Sequence, residues 1–437
     1  MNATKIILKK LVLFSVPLIL SGLLQQLFNW VDALIVGNII GEKALAGVGT
    51  ITSIYNLFVT VIVGFTSGLS VLFAQQYGRG EEENGKLLSA YSLLLGIVFF
   101  IISLSGAILT VPILRVLNTP TGLLEYAREY LFVIFIGVPF LAIYNTYSAA
   151  LRGVGNSKVP FISVLISSVI NGVFDYVFIG ICGFGVWSAA VATVISQIVM
   201  TVYIIIFTAR HYPSLRFSKS HMKEWQTTIK SGGKYALPPA VQSSVTSVGN
   251  IFLQRFMNTF GEQTVAAITT AYRVDAVLLL PIVNFSTAIS TIVAQETGAG
   301  NEKVAKKAFQ LGTVMMAVMS VGLTGVIILT GRTLLSMFGL TSDSVAIGDE
   351  FFKTISLFYV INGIAMSIKG YLEGTSDMLF SGIMGICSLG VRIVCSYLLE
   401  GVFDNMVIAY AEAFSWVFLL LVFITRYLSK RGKIRVS

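Results

Sequence analysis

Apolar residues come in long blocks from Leu11 almost to the end of the chain, and short polar stretches divide them. A bilayer core takes about 20 apolar residues of helix to cross, and each block is long enough. The pattern predicts twelve transmembrane helices. They lie near 11–36, 51–76, 88–113, 127–150, 160–181 and 187–209, then 234–258, 268–295, 307–330, 351–371, 379–399 and 405–427. Within the first block, between Leu11 and Gly37, a single ionisable side chain, Asp32, breaks an otherwise apolar run. A carboxylate inside such a helix costs roughly 2.5–3.5 kcal/mol on insertion scales and persists where it faces protein or a water-filled cavity. Asp32 is therefore a candidate ion-coupling site.

The blocks repeat. AQQYGRGEEENGK from Ala74 recurs as AQETGAGNEKVAK from Ala294, Pro17 in SVPLIL matches Pro238 in ALPPAV, and LRGVGNSK at Leu151 matches LEGTSDML at Leu372. These offsets of 220, 221 and 221 residues are collinear across whole halves. Each copy begins after an even number of spans, so the halves are parallel repeats about an axis along the membrane normal. The expected organisation is an N-terminal six-helix lobe (1–209), a cytoplasmic linker (210–233) and a C-terminal six-helix lobe with a basic tail (234–437). The fold class is thus an all-α polytopic membrane protein, and repeat lobes of this kind point to a transporter.

Composition agrees with a membrane protein. The 437 residues are 55% hydrophobic and 12% charged, about half the charge density of a soluble domain, with a mean hydropathy of +0.83. MNATKIILKK leads straight into the first span with no small-residue cleavage site after a short apolar core, so it reads as membrane helix and not as signal peptide. Of the 30 Lys and Arg, 22 fall on the N-terminus, the even-numbered loops and the C-terminal tail. Positive charge favours the cytoplasmic side, so both termini are expected inside. Topology then accounts for the net charge of +9 without a nucleic-acid partner. Cys182, Cys387 and Cys395 lack metal-ligand spacing, both histidines (His211, His221) fall in the linker, and no P-loop lysine motif occurs. No enzymatic activity, metal site, cofactor or ATP drive is expected, and a monomer is.

Depth decides which intramembrane polar groups can meet. Asp32 sits about five residues from the outer end of the first span, about 7 Å at 1.5 Å per residue. Asn171 and Asp175, at i and i+4 on one face of the fifth span, reach the same outer level, as do Tyr130 and Thr193 near the starts of the fourth and sixth. Two carboxylates in a low-dielectric pocket cannot both ionise comfortably, so such a pair binds a proton as a unit. Carboxylate, amide and hydroxyl oxygens at Asp32, Asn171 and Asp175 suit Na⁺ as well, and both ions stay open. The alternative is that neighbouring amides cap each acid separately and fix helix packing. In the second half, Arg392 aligns with Asn171 and Ser396 with Asp175. Arg392 and Glu412 form either a buried ion pair or a site where Glu412 meets a cationic substrate. Asp275 is expected to pair locally. The glycines (Gly64 and Gly68, Gly172, Gly363) read as close helix packing. Among 30 Phe, 17 Tyr and 12 Met, those lining a cavity would accept flat amphipathic cations.

Several segments together resemble multidrug and toxic compound extrusion (MATE) transporters, within the wider group that includes lipid-oligosaccharide flippases. They are P-x₇-Q-x₂-F-x₃-D-x₄-G from Pro17 to Gly37, the AQQYG and AQETG loops, LRGVGNSKVP, and N-x₃-D from Asn171. The resemblance covers essentially the whole chain. It implies two lobes in a V around a central cavity, and antiport of amphipathic organic cations against H⁺ or Na⁺ across a bacterial inner membrane. It also implies cation coupling at Asp32, Asn171 and Asp175, with Tyr130 and Thr193 as further members of that network. One departure stands out: some branches carry a functional acid in the seventh span, and ALPPAVQSSVTSVGNIFLQRFMN has none. Weight shifts to the N-terminal site. The alternative cargo is a lipid-linked or other anionic precursor, which asks for a cationic cavity.

Overall fold

The computed structural model describes residues 3–80, 83–117 and 119–434, and among them every regular element is a helix. Inside a bilayer each backbone N–H and C=O must be satisfied within its own segment, and a helix does this for a lone apolar run. The first half holds α1 (Ala3–Ile35), α2 (Glu42–Gly78), α3 (Asn84–Ile108), the short α4 (Thr110–Val116), α5 (Leu124–Gly153), α6 (Lys158–Asp175) and α7 (Trp187–His211). The second holds α8 (Trp225–Met257), α9 (Glu262–Leu278), α10 (Leu280–Gly298), α11 (Glu302–Ser336), α12 (Ser342–Ser356), α13 (Tyr359–Gly374), α14 (Met378–Leu398), the one-turn α15 (Glu400–Phe403) and α16 (Val407–Ile434). The basic tail from residue 435 on lies outside the described residues.

Ten spans among the described residues are long and apolar enough to cross a membrane, and α12 with α13, bent by 48° at their junction, make an eleventh. The twelfth expected span is α8, 33 residues long and interrupted by Pro238 and Pro239. It has the length to cross but carries Gln242, Ser243, Ser244, Thr246, Ser247 and Asn250, which dilute its apolar character.

The sequence repeat is written into the backbone. Left-handed positions recur at the same offsets: Gly41 (φ 116°) with Gly261 (86°), Gly80 (72°) with Gly300 (74°), Gly155 (90°) with Ser376 (70°), and Gly183 (67°) with Asp404 (49°). The fourth span of each half is its hub: α5 packs on α2, α3 and α7, and α13 packs on α10, α11 and α16.

By contacts the chain divides into one unit of Leu20–Ala240 and another of Met1–Ile19 with Val241–Ser437. These boundaries differ from the expected division at 209 and 234. Leu11 is fully buried among Ile289, Phe309 and Met316, and Lys10 Nζ lies 3.3 Å from Glu296 Oε1, which ties the start of α1 to the second half. The linker stays with the first: Lys86 meets Glu224 at 3.1 Å, the Tyr91 hydroxyl donates to the Ile229 carbonyl at 2.6 Å, and that of Tyr235 donates to Gln75 Oε1 at 3.0 Å.

Candidate functional site

In the Leu20–Ala240 unit the structure brings Asp32 (α1), Tyr130 (α5), Asn171 and Asp175 (α6) and Thr193 (α7) into one cluster. Asp175 is completely buried, Asn171 is 1% exposed, and Thr193 and Tyr130 are nearly as covered. Their spacing makes this local: 171 and 175 share a face of α6, and the depths worked out along α1, α5, α6 and α7 coincide. The Asp32 carboxylate faces that of Asp175 and the Tyr130 phenol, and Tyr130 reaches Thr193 in turn. Asn171, with its amide oxygen toward Thr193 (3.2 Å from Oγ1, 3.1 Å from the backbone nitrogen), donates to Asp175 Oδ2 at 2.6 Å. The hydrogen-bond network dictates that amide orientation. Thr193 Oγ1 also lies 3.1 Å from the Ala189 carbonyl.

Two features of this cluster bear on its role. Among the described residues, neither aspartate forms an ion pair, and Asp32 Oδ1 and Asp175 Oδ1 are buried with no hydrogen-bond partner. Leaving a buried acceptor unmatched costs about 1–3 kcal/mol, more for a charged one. In addition, both aspartate-bearing helices pass directly into π-helical segments, Val36–Ile40 after α1 and Tyr176–Ile181 after α6, and these pack against each other. Such π-helical turns are rare and, where they occur, are frequent at functional sites.

Sequence reasoning missed two members. Gln197 Nε2 donates to the Tyr55 hydroxyl at 2.7 Å, and Tyr55 lies beside Tyr130. Signals for both existed. Gln197 is one turn after Thr193 on the same face, and Tyr55 falls near the start of the second expected span, 51–76.

The matching region of the other unit has different chemistry. Arg392, at the register position of Asn171, pairs through Nη2 with Glu412 Oε2 at 2.9 Å and donates to the Tyr272 hydroxyl at 2.7 Å. Its guanidinium carbon lies 5.6 Å from the Tyr272 ring centre. Asp275, buried at 2% exposure, does not pair with its neighbour Arg273 but accepts a hydrogen bond from Tyr359 on α13. Arg392 and Glu412 line a cavity of about 280 Å³ with Asn250, Gln254, Phe256 and Met257 among its walls. No group of three or more metal-ligating side chains occurs among the described residues.

Comparison with known proteins follows the same outline. The MatE family model matches residues 17–177 and again 238–398, so its second copy begins 221 residues after its first. "Probable multidrug resistance protein YpnP" of Bacillus subtilis (strain 168) is 28% identical over 386 residues, covering 88% of this chain and 86% of that protein. "Probable multidrug resistance protein NorM" of Thermotoga maritima is 26% identical over 376 residues, 85% and 81% of the two chains. A crystal structure described as MATE in the straight conformation superposes with a TM-score of 0.90 at 20% identity, covering all of both chains.

Proposed function

The chain belongs to the multidrug and toxic compound extrusion (MATE) family, and from that membership we propose that it is a secondary-active multidrug exporter of the bacterial plasma membrane. It moves small amphipathic organic cations outward in exchange for H⁺ or Na⁺. The observation that carries this reading is the pair of facing carboxylates, Asp32 and Asp175, with an unmatched buried oxygen on each and no basic partner among the described residues. Such a pair cannot hold two full negative charges in a dry pocket without a proton or a cation between them. Asn171, Thr193 and Tyr130 are neutral groups that can donate or accept, so they accommodate the loaded and unloaded pair alike.

Coupling requires that cation and drug prefer different states of the transporter. Cation entry near the outer end of α1 and α6 neutralises the pair, just ahead of the two π-helical segments that pack against each other. This state holds the drug weakly and releases it outward. An anionic cargo would ask for a cationic cavity, and the neutralisation of Arg392 by Glu412 at 2.9 Å weighs against it.

The test is ethidium efflux from proteoliposomes under an imposed pH gradient and, separately, a Na⁺ gradient. Efflux driven by one gradient and lost in Asp32→Asn, with the variant still folded, is the expected result. Efflux that survives Asp32→Asn unchanged would overturn the coupling site, and efflux with neither gradient would sink the exporter reading itself.

A further inference from the structure

Arg392 is a guanidinium used at less than capacity. Its hydrogen bonds, to Glu412 and to Tyr272, both leave from Nη2, and Nη1 and Nε bond to nothing among the described residues. Neither nitrogen is buried without a partner, and the side chain lines the cavity between α8, α9, α14 and α16. Each two-nitrogen edge of a guanidinium includes Nη2, whose two hydrogens are spent, so Nη1 and Nε each offer one charge-assisted donor to a carboxylate oxygen. Glu412, on the same wall, places a negative charge 2.9 Å from Nη2. Beside the charges, Asn250 and Gln254 offer amides, while Phe256 and Met257, each 3% exposed, give an apolar floor.

The complement of two adjacent opposite charges is two adjacent opposite charges. We infer that this cavity binds ligands in which a carboxylate and an ammonium are neighbours, the head group of an α-amino acid, on an apolar or aromatic body. The ligand carboxylate takes a free single donor of Arg392, its ammonium takes Glu412, and its body lies toward Phe256 and Met257. A neutral pair of this kind rejects a simple anion because of Glu412 and a simple cation because of Arg392, so it selects for the zwitterion. The cavity is at the small end for a whole drug and of a size for a head group. The inference goes beyond the exporter reading: it assigns the second unit a ligand distinct from the organic cations of that reading, and it does not rest on it.

Dansyl-lysine labelled on its side-chain amine and dansylcadaverine differ only in the α-carboxylate, and both report binding by fluorescence. With purified full-length protein, dansyl-lysine is expected to bind at least ten-fold tighter than dansylcadaverine. Arg392→Gln alone strands Glu412 in a buried site, so the double variant Arg392→Gln/Glu412→Gln, which keeps neutral hydrogen bonding, is the main test. Arg392→Lys, which keeps the charge and loses the Nη1 and Nε donors, is the second. The preference should vanish in the double variant and fall several-fold in Arg392→Lys. Equal affinity for both probes in the wild type, absence of saturable dansyl-lysine binding, or a preference that survives the double variant would each overturn the inference. Because the readout is equilibrium binding, ethidium efflux that fails under both gradients would remove the exporter reading and leave this result standing by itself.

Discussion

At the scale of single residues, the decisive question is whether Asp175 serves transport or packing, and the two roles predict opposite signs for stability. Asp175 is fully covered, has one unmatched oxygen and has no basic partner among the described residues. Asn fills the same volume without the charge, so Asp175→Asn should raise thermal stability in detergent by about 1 kcal/mol, the desolvation cost it removes. It should lower gradient-driven efflux at least ten-fold. A loss of stability together with a loss of transport would make Asp175 a packing residue. Much of this site was legible in the sequence, since counting from the span ends set Asp32, Tyr130, Asn171, Asp175 and Thr193 at one depth. Hydropathy fixes depth but not the rotation of a helix about its axis. For that reason Tyr55 went unassigned, and Asp275 found its partner 84 residues away at Tyr359 and not beside it in sequence.

At the scale of helices, the repeat shows in where backbones touch. A Cβ added at Gly153 would stand 2.4 Å from Phe73 Cβ, and one added at Gly374 would stand 2.7 Å from the Ser290 carbonyl oxygen and 2.8 Å from Val293 Cβ. Both glycines end the hub span of their half, so Gly153→Ala and Gly374→Ala should each cost about 1–3 kcal/mol by overpacking. Gly322→Ala, with nothing within 4 Å of the added carbon, should be neutral or stabilising. Similar losses at all three would remove the packing argument; thermal melts in detergent decide it. The loops that follow these hubs have diverged in charge. Asn156 Oδ1 accepts from the backbone nitrogens of Lys158 and Val159, each at 3.1 Å, and so caps α6. Its counterpart Asp377 instead pins α14 to α16, 2.8 Å from Arg426 Nε and 3.0 Å from Lys430 Nζ. Partial burial pushes the Asp377 carboxyl up, but the hydrogen bonds and charges of Arg426 and Lys430 outweigh it and hold the group below its ordinary value. Its contribution is therefore full above the unfolded carboxylate value of about 4 and lost as pH falls through the lower folded value. Asp377→Asn should cost about 1 kcal/mol near neutral pH and nothing once the wild-type carboxyl is protonated, as melts across the acid range would show. The 48° bend between α12 and α13 had no such sequence signal, because no proline lies between Ser356 and Tyr359.

At the scale of the whole chain, the repeat offset could be read from three short motifs, and the same offset reappears in the left-handed backbone positions and in the doubled family match. What the motifs could not show is that the first 19 residues cluster with the second half. That depends on which face of α1 meets which neighbour, and an apolar run leaves the choice open. Orientation across the membrane is an expectation from charge: with 22 Lys and Arg on one side, both termini are expected in the cytoplasm and Asp32 and Asp175 in the outer half, where the proposed coupling cation would arrive. Cys182 reports on this directly. It is exposed at the end of the π-helical segment that follows Asp175, on the side opposite the termini. In a variant with Cys387→Ala and Cys395→Ala, which leaves Cys182 as the lone thiol, a membrane-impermeant maleimide added to intact cells should label the protein without permeabilisation. Labelling that appears only after the cells are opened would invert the topology. The aspartate pair would then lie toward the cytoplasm, and an inward cation gradient would have to cross most of the bilayer before reaching it.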